Sequence, residues 1–192
     1  MSASLVASAV IGTHLTLSAA SIATGIFTHR PICQVERQQH GTGAVAGQNC
    51  TLAASVQETV SNMYSGKGLD TTACSVDVAF EDPVALCRGI GEVQEAFRAL
   101  KACSPEHVAD PFIVAAQGSE PGTPAVVCLH QRYFGGLEVR GTVLVQLNDE
   151  GLITRFEERW NAAPLLDSSP VRWSRRLNGM VSSIVTPIIV RV

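Results

Sequence analysis

The chain is 192 residues long, 46% hydrophobic and only 16% charged, with 14 Lys and Arg against 17 Asp and Glu for a net charge of −3. That length suits one domain with tails, since two independent cores would each be small. A slightly acidic chain without clustered basic residues excludes a nucleic-acid footprint. The charge is unevenly spread, with −7 on residues 50–163 against +1 on 1–49 and +3 on 164–192. An acidic middle between weakly basic, apolar ends predicts that the tails meet a different partner from the body, a membrane or another subunit.

Met1 to Thr28 holds no Asp, Glu, Lys or Arg, is rich in Ala, Ser and Thr, and carries Val6, Val10, Ile11, Leu15, Leu17, Ile22, Ile26 and Phe27. Residues 3–27 are long enough to span a bilayer, which makes a membrane anchor one reading. A mitochondrial or plastid targeting peptide is the other, and both stand ahead of a cleaved secretory signal, which would want Lys or Arg first. The expected location is accordingly membrane-associated or organellar. Residues 38–50, glycine-containing and without periodicity, read as a linker, so residues 1–50 form the first segment.

The body, 51–165, opens with a helix from Thr51, its possible N-cap, to Tyr64, with Leu52, Val56, Val60 and Tyr64 on one face. Ser75 to Asp82 alternates as a strand and stops at Pro83, which has no donor for a ladder. Val84 to Arg88 is a short return strand, and Gly89-Ile90-Gly91 introduces a helix over Glu92–Cys103 with Val93, Phe97 and Leu100 on its apolar face. Four strands follow, at Val108–Gln117, Ala125–Phe134, Leu137–Leu147 and Leu152–Trp160, with short breaks that predict consecutive antiparallel hairpins. The third segment, 166–192, contains a helix with Leu177, Met180, Val181, Ile184, Val185, Ile188 and Ile189 as an apolar stripe opposite Asn178, Ser182, Ser183 and Thr186. Pro187 is expected to kink or end it. That stripe is expected to dock on the body, with a membrane or subunit contact over residues 177–190 as the second reading.

This order predicts an α+β fold. A cone-shaped, curved antiparallel sheet wraps on N-terminal helices, an extra amphipathic helix follows, and a pocket opens at the cone's mouth. The six cysteines, Cys33, Cys50, Cys74, Cys87, Cys103 and Cys128, contain no CxxC and no zinc-type spacing with His, so they read as small buried hydrophobes. Neither a metal set nor a phosphate-binding glycine loop emerges, and no cofactor is expected.

The run Phe80-Glu81-Asp82-Pro83-Val84-Ala85-Leu86-Cys87-Arg88-Gly89, the helix ending Ala96-Phe97-Arg98-Ala99-Leu100, and the hairpin from Asn148 to Trp160 resemble the nuclear transport factor 2-like superfamily. The likeness is strongest to its SnoaL-like and ketosteroid-isomerase-like branches and covers roughly residues 51–165. It implies that Asp82 is a general base in an apolar pocket, taking a proton from carbon beside a carbonyl and returning it elsewhere. It further implies an oxyanion hole of a first-helix Tyr, for which Tyr64 is the candidate, and a second carboxyl at the place held by Val143. A site short of that carboxyl speaks against steroid isomerisation itself. A homodimer through the outer sheet face, with Glu138, Arg140, Thr142 and Gln146, is also implied.

From the residues themselves, Asp82 reads either as that base or as a turn cap before Pro83. Alternation places Thr154, Phe156, Glu158 and Trp160 on one face, making Glu158 either a second pocket carboxylate or a surface charge paired with Arg155 and Arg159. Trp160 reads as a core anchor more than a ligand platform. His130, between Cys128 and Arg132 on one strand face, is either a proton shuttle or a satisfied side chain. The expected proton-transfer group is Asp82, Tyr64, His130 and Glu158, and the expected hydrophobic lining is Phe80, Phe97, Val139, Val143, Val145, Phe156 and Trp160. Two functions follow. One is a small-molecule pocket domain acting as a cofactor-free isomerase, cyclase or dehydratase on a hydrophobic substrate. The other is a non-enzymatic accessory or scaffolding subunit.

Overall fold

A computed structural model of the chain describes residues 48–115, 124–160, 164–165 and 167–189. The anchor or targeting segment at 3–27 lies outside the described residues, as does the linker up to residue 47.

Alternating β-branched runs broken by short polar turns become six strands: β1 Cys74–Glu81, β2 Leu86–Arg88, β3 Glu106–Ala115, β4 Ala125–Tyr133, β5 Leu137–Leu147 and β6 Ile153–Trp160. Three helices accompany them, α1 Gln48–Tyr64, α2 Gly89–Leu100 and α3 Ser169–Ile189. The strands form one curved sheet in the order β2-β1-β6-β5-β4-β3. Strands β3 to β6 are the expected meander. Asn148 tightens the last turn, its side chain accepting from the amides of Glu150 at 3.1 Å and Leu152 at 2.9 Å. The sheet is not wholly antiparallel, because β6 returns to lie parallel to β1. With α2 and the meander between them, the two strands are joined by the long crossover that a parallel pair needs.

The inner face of the sheet carries Val127, Leu129, Val143, Val145 and Phe156, and closes on Val56, Val60, Met63 and Tyr64 of α1 and on Val93 and Phe97 of α2. Each such side chain fully removed from water contributes about 1.5–3 kcal/mol. Alternation slips in β6 opposite the end of β5. Gln146 pairs with Arg155 but Leu147 pairs with Ile153, so the extra residue Thr154 forms a bulge and Ile153 takes the core position instead.

The helix boundaries differ from the sequence pattern. Helix α1 starts at Gln48, so Thr51 lies inside it rather than capping it, and α2 starts at Gly89. Helix α3 starts at Ser169 and runs through Pro187 to Ile189. It docks on α2 and β2 as expected, but with its polar face. Arg175 is 2% exposed and Asn178 6%, whereas Trp173 is 68%, Leu177 43%, Met180 44% and Ile184 66% exposed. Among the described residues no helix is long and apolar enough to cross a membrane. Cys74, Cys87 and Cys103 are free thiols, and Cys128 is disulfide-bonded.

Candidate functional site

The inward face of the sheet, the C-terminal ends of α1 and α2 and the middle of α3 line a cavity of about 270 Å³. Most of its wall is apolar, from Phe80, Phe97, Leu100, Leu137 and Val139 among others. The polar groups that reach it are Tyr64, Asp82, Tyr133, Glu158, Trp160, Asn178 and Ser182. That is the composition of a small-molecule site: hydrophobic walls with a few converging polar groups.

Asp82 follows the last residue of β1 and turns the chain toward β2. Its N–H donates to the Ala85 carbonyl at 3.0 Å, and its Oδ1 accepts from the amides of Val84 at 2.7 Å and Ala85 at 2.5 Å. The turn-cap role and the pocket role therefore coexist in one side chain. One oxygen holds the turn, and Oδ2 has no hydrogen bond to another described residue. Burial pushes this carboxyl up to about 6, opposed by the two amide donors and by the Arg175 guanidinium.

Glu158 arrives from β6, on the inward side with Phe156 and Trp160, and is not a surface charge: it is 6% exposed. The Tyr64 hydroxyl, at the last residue of α1, donates to its Oε2 at 2.6 Å, and the Trp160 indole N–H donates to its Oε1 at 3.0 Å. Burial and then the Asp82 charge push Glu158 up to about 8, against those two donors. The Tyr64 hydroxyl is raised well above its ordinary value, first by burial and then by Glu158. Arg155 and Arg159, the alternative partners, instead pair with Glu157, and Arg155 also with Glu81.

Two interacting carboxyls in one largely apolar cavity titrate as a pair. Burial raises both carboxyls, and the negative charge of one opposes ionisation of the other, so the pair gives up its second proton less readily than its first. Glu158 is the cross-strand neighbour of Val143. Glu158 thus brings a second carboxyl to the cavity of Asp82 from β6. Gly141 makes room for it, since a Cβ there would stand 3.1 Å from Glu158 Oε1.

The other expected residues divide cleanly. Phe80, Phe97, Val139 and Trp160 line the cavity. Val143, Val145 and Phe156 do not; each is 0% exposed and packed in the core. Trp160 is more than a core anchor, because its N–H holds Glu158. His130 is absent from the site: it lies on the outer sheet face, its Nε2 3.1 Å from Glu138 Oε2, with Arg132 on the same carboxylate at 2.7 Å. Alternation along β4 had already separated it from Tyr133, and that was the available signal for both residues. Tyr133, overlooked in the sequence, lines the cavity with a hydroxyl that burial raises above its ordinary value and that bonds to no other described residue. Asn178 and Ser182 were hidden by the assumption that α3 buries its apolar stripe. Among the described residues no cluster of three His, Cys, Asp or Glu is placed to hold a metal ion.

No family model matches the chain, and no curated protein matches it. Similar solved structures include an uncharacterized protein with a cystatin-like fold from Silicibacter pomeroyi, 17% identical at a TM-score of 0.44, over 72% of this chain and 86% of that one. A nuclear transport factor 2-like protein of unknown function from Mesorhizobium loti is 12% identical at a TM-score of 0.43, over 62% of this chain and 96% of that one. Another, from Shewanella baltica, is 10% identical at 0.36, over 63% and 100%. The α+β architecture is read from the chain's own strand order and helix packing, and none of these likenesses assigns it an activity.

Proposed function

We propose that the chain is a small-molecule pocket domain that catalyses cofactor-free proton transfer on a hydrophobic, enolisable substrate, as an isomerase, cyclase or dehydratase. The observation that carries this reading is the pairing of two buried carboxyls in one apolar cavity, each raised by desolvation, to about 6 for Asp82 and about 8 for Glu158. Asp82 removes a proton from carbon beside a carbonyl, and the electron pair moves to the carbonyl oxygen. The Glu158 acid and the Tyr133 hydroxyl donate hydrogen bonds to that oxygen, and Asp82 returns the proton at another carbon.

The first test is carbon-detected NMR titration of the Asp82 carboxyl, with Asp82→Asn as the assignment control. A midpoint near 6 is expected, and one at or below the ordinary Asp value of about 3.9 overturns the reading. Screening hydrophobic ketones and esters then gives a bell-shaped rate profile with limbs near 6 and 8, and Asp82→Asn lowers turnover by about two to four orders of magnitude. A second reading, an accessory or scaffolding subunit, is supported by the exposed line Trp173, Leu177, Met180 and Ile184 on α3. Fractionation of the full chain addresses it: release by salt alone removes the transmembrane reading of residues 3–27, and release by detergent alone supports it.

A further inference from the structure

Helix α3 lies across the hairpin tip that carries Asp82 and takes three alternate backbone carbonyls of that tip in turn. The Arg175 guanidinium donates to the Asp82 carbonyl at 3.3 Å, Asn178 Nδ2 to the Val84 carbonyl at 3.0 Å, and Arg176 Nη1 to the Leu86 carbonyl at 3.2 Å. The grip is itself anchored. Arg175 also meets Glu81 Oε2 at 3.4 Å, and Arg176 holds Glu92 on α2 with two bonds, at 2.6 Å and 2.8 Å. The carboxyl of Asp82 hangs on the amides of Val84 and Ala85, the very peptides whose neighbouring carbonyls α3 holds. Moving those peptides moves the carboxyl.

We infer that Arg175 and Asn178 are positioning residues for Asp82, fixing the direction and the dryness of its carboxyl by holding the backbone of its turn from α3. This rests on the reading of Asp82 as the base, and it makes α3 a wall of the site rather than an appendage, with Asn178 and Ser182 both on the cavity surface. The two residues act differently. Arg175 brings a positive charge as well as a hydrogen bond, whereas Asn178 brings only the bond.

The test reads the Asp82 carboxyl directly by NMR in the full chain. Glu158, Tyr64, Tyr133, Cys87 and Arg175 are the titratable and charged groups facing Asp82, and of these the variants change only Arg175. Arg175→Met removes the charge and moves the Asp82 midpoint up by about one unit, while Arg175→Lys restores it. Asn178→Ala frees the Val84 peptide, admits water, and moves the midpoint down toward the ordinary value of about 3.9, with the Val84 and Ala85 amide resonances shifting. Leu177→Ala, on the outer face of α3, leaves all of these unchanged. Opposite shifts from Arg175→Met and Asn178→Ala, in proteins that still melt in one transition, are the expected result. Lowered melting temperatures with an unmoved Asp82 midpoint overturn the inference. If Arg175→Met does not fold, the Asn178→Ala arm decides alone. Wild-type titration near 3.9 instead defeats the reading of Asp82 as a base, a different failure from a raised midpoint that the variants do not move.

Discussion

Glu158 shows how much one residue depends on its neighbours' small size. Its carboxyl is held between the Tyr64 hydroxyl and the Trp160 indole, and the strand opposite offers Gly141, where any Cβ would stand 3.1 Å from Oε1 and 3.8 Å from Cγ. Alanine in place of glycine ordinarily helps a strand, by about 0.5–1 kcal/mol. At this position the sign reverses, because Oε1 cannot yield without losing the Trp160 bond. Gly141→Ala is expected to lower stability by about 1–3 kcal/mol, the range for overpacking, in urea unfolding and to shift the Trp160 indole N–H resonance. A variant that is more stable than wild type with an unmoved indole resonance would mean that Glu158 is not fixed where the structure has it. Glu158 follows from a local rule, period two in a strand, whereas Asp82 as a base and Tyr64 as its partner followed from the resemblance carried by the Asp-Pro turn and the first helix. The same resemblance pointed to Val143 for a second carboxyl, whereas the carboxyl that stands in the cavity with Asp82 is that of Glu158.

At the scale of elements, the meander and both helices of the body were legible, since short turns force neighbours to pair and helical spacing survives any packing. Two arrangements were not. The parallel contact of β1 with β6 joins segments far apart in sequence, and no local pattern encodes it. The face that α3 buries was misread for a plainer reason. Periodicity finds an apolar stripe but does not say what covers it, and here Glu81, Glu92 and the carbonyls of Asp82, Val84 and Leu86 partner the polar face, which docks instead. Close approach makes this docking possible. A Cβ on Gly179 would stand 2.7 Å from the Leu86 carbonyl carbon and 3.2 Å from the Cys87 nitrogen, and backbone atoms cannot step aside. Gly179→Ala gains about 1 kcal/mol of helix propensity yet is expected to lift α3 from β2. Hydrogen exchange should then rise across residues 169–184 while β4 and β5 stay protected, and an unchanged exchange pattern would show that the contact tolerates a methyl group.

For the whole molecule, the buried pair sets how stability varies with pH. The folded-state values of about 6 for Asp82 and about 8 for Glu158 lie above the unfolded ones, about 3.9 and 4.3, so between these limits the folded chain binds more protons than the unfolded chain. The favourable contribution is therefore fully present below about pH 4 and is lost as pH rises through 6 and then 8, by up to about 1.4 kcal/mol per pH unit for each group. Glu92 works the other way. The Arg176 hydrogen bonds hold its carboxyl below the usual range, a contribution present above that range and lost as pH falls through the lowered value. Opposed slopes put the stability maximum in mildly acid solution rather than at neutrality. Glu158→Gln keeps the volume and the acceptor while removing the ionisation, so it should flatten the decline between pH 6 and 8 and leave the variant more stable than wild type at pH 9, in urea unfolding measured across pH. If wild-type stability instead stays level from pH 5 to 8, the two carboxyls are hydrated in the folded state. The dry pocket that raises them, and with it the argument for a base and an acid poised at neutral pH, would then fall together. A cavity that costs stability at neutrality by holding two carboxyls out of water is what the proposed proton transfer at that place requires.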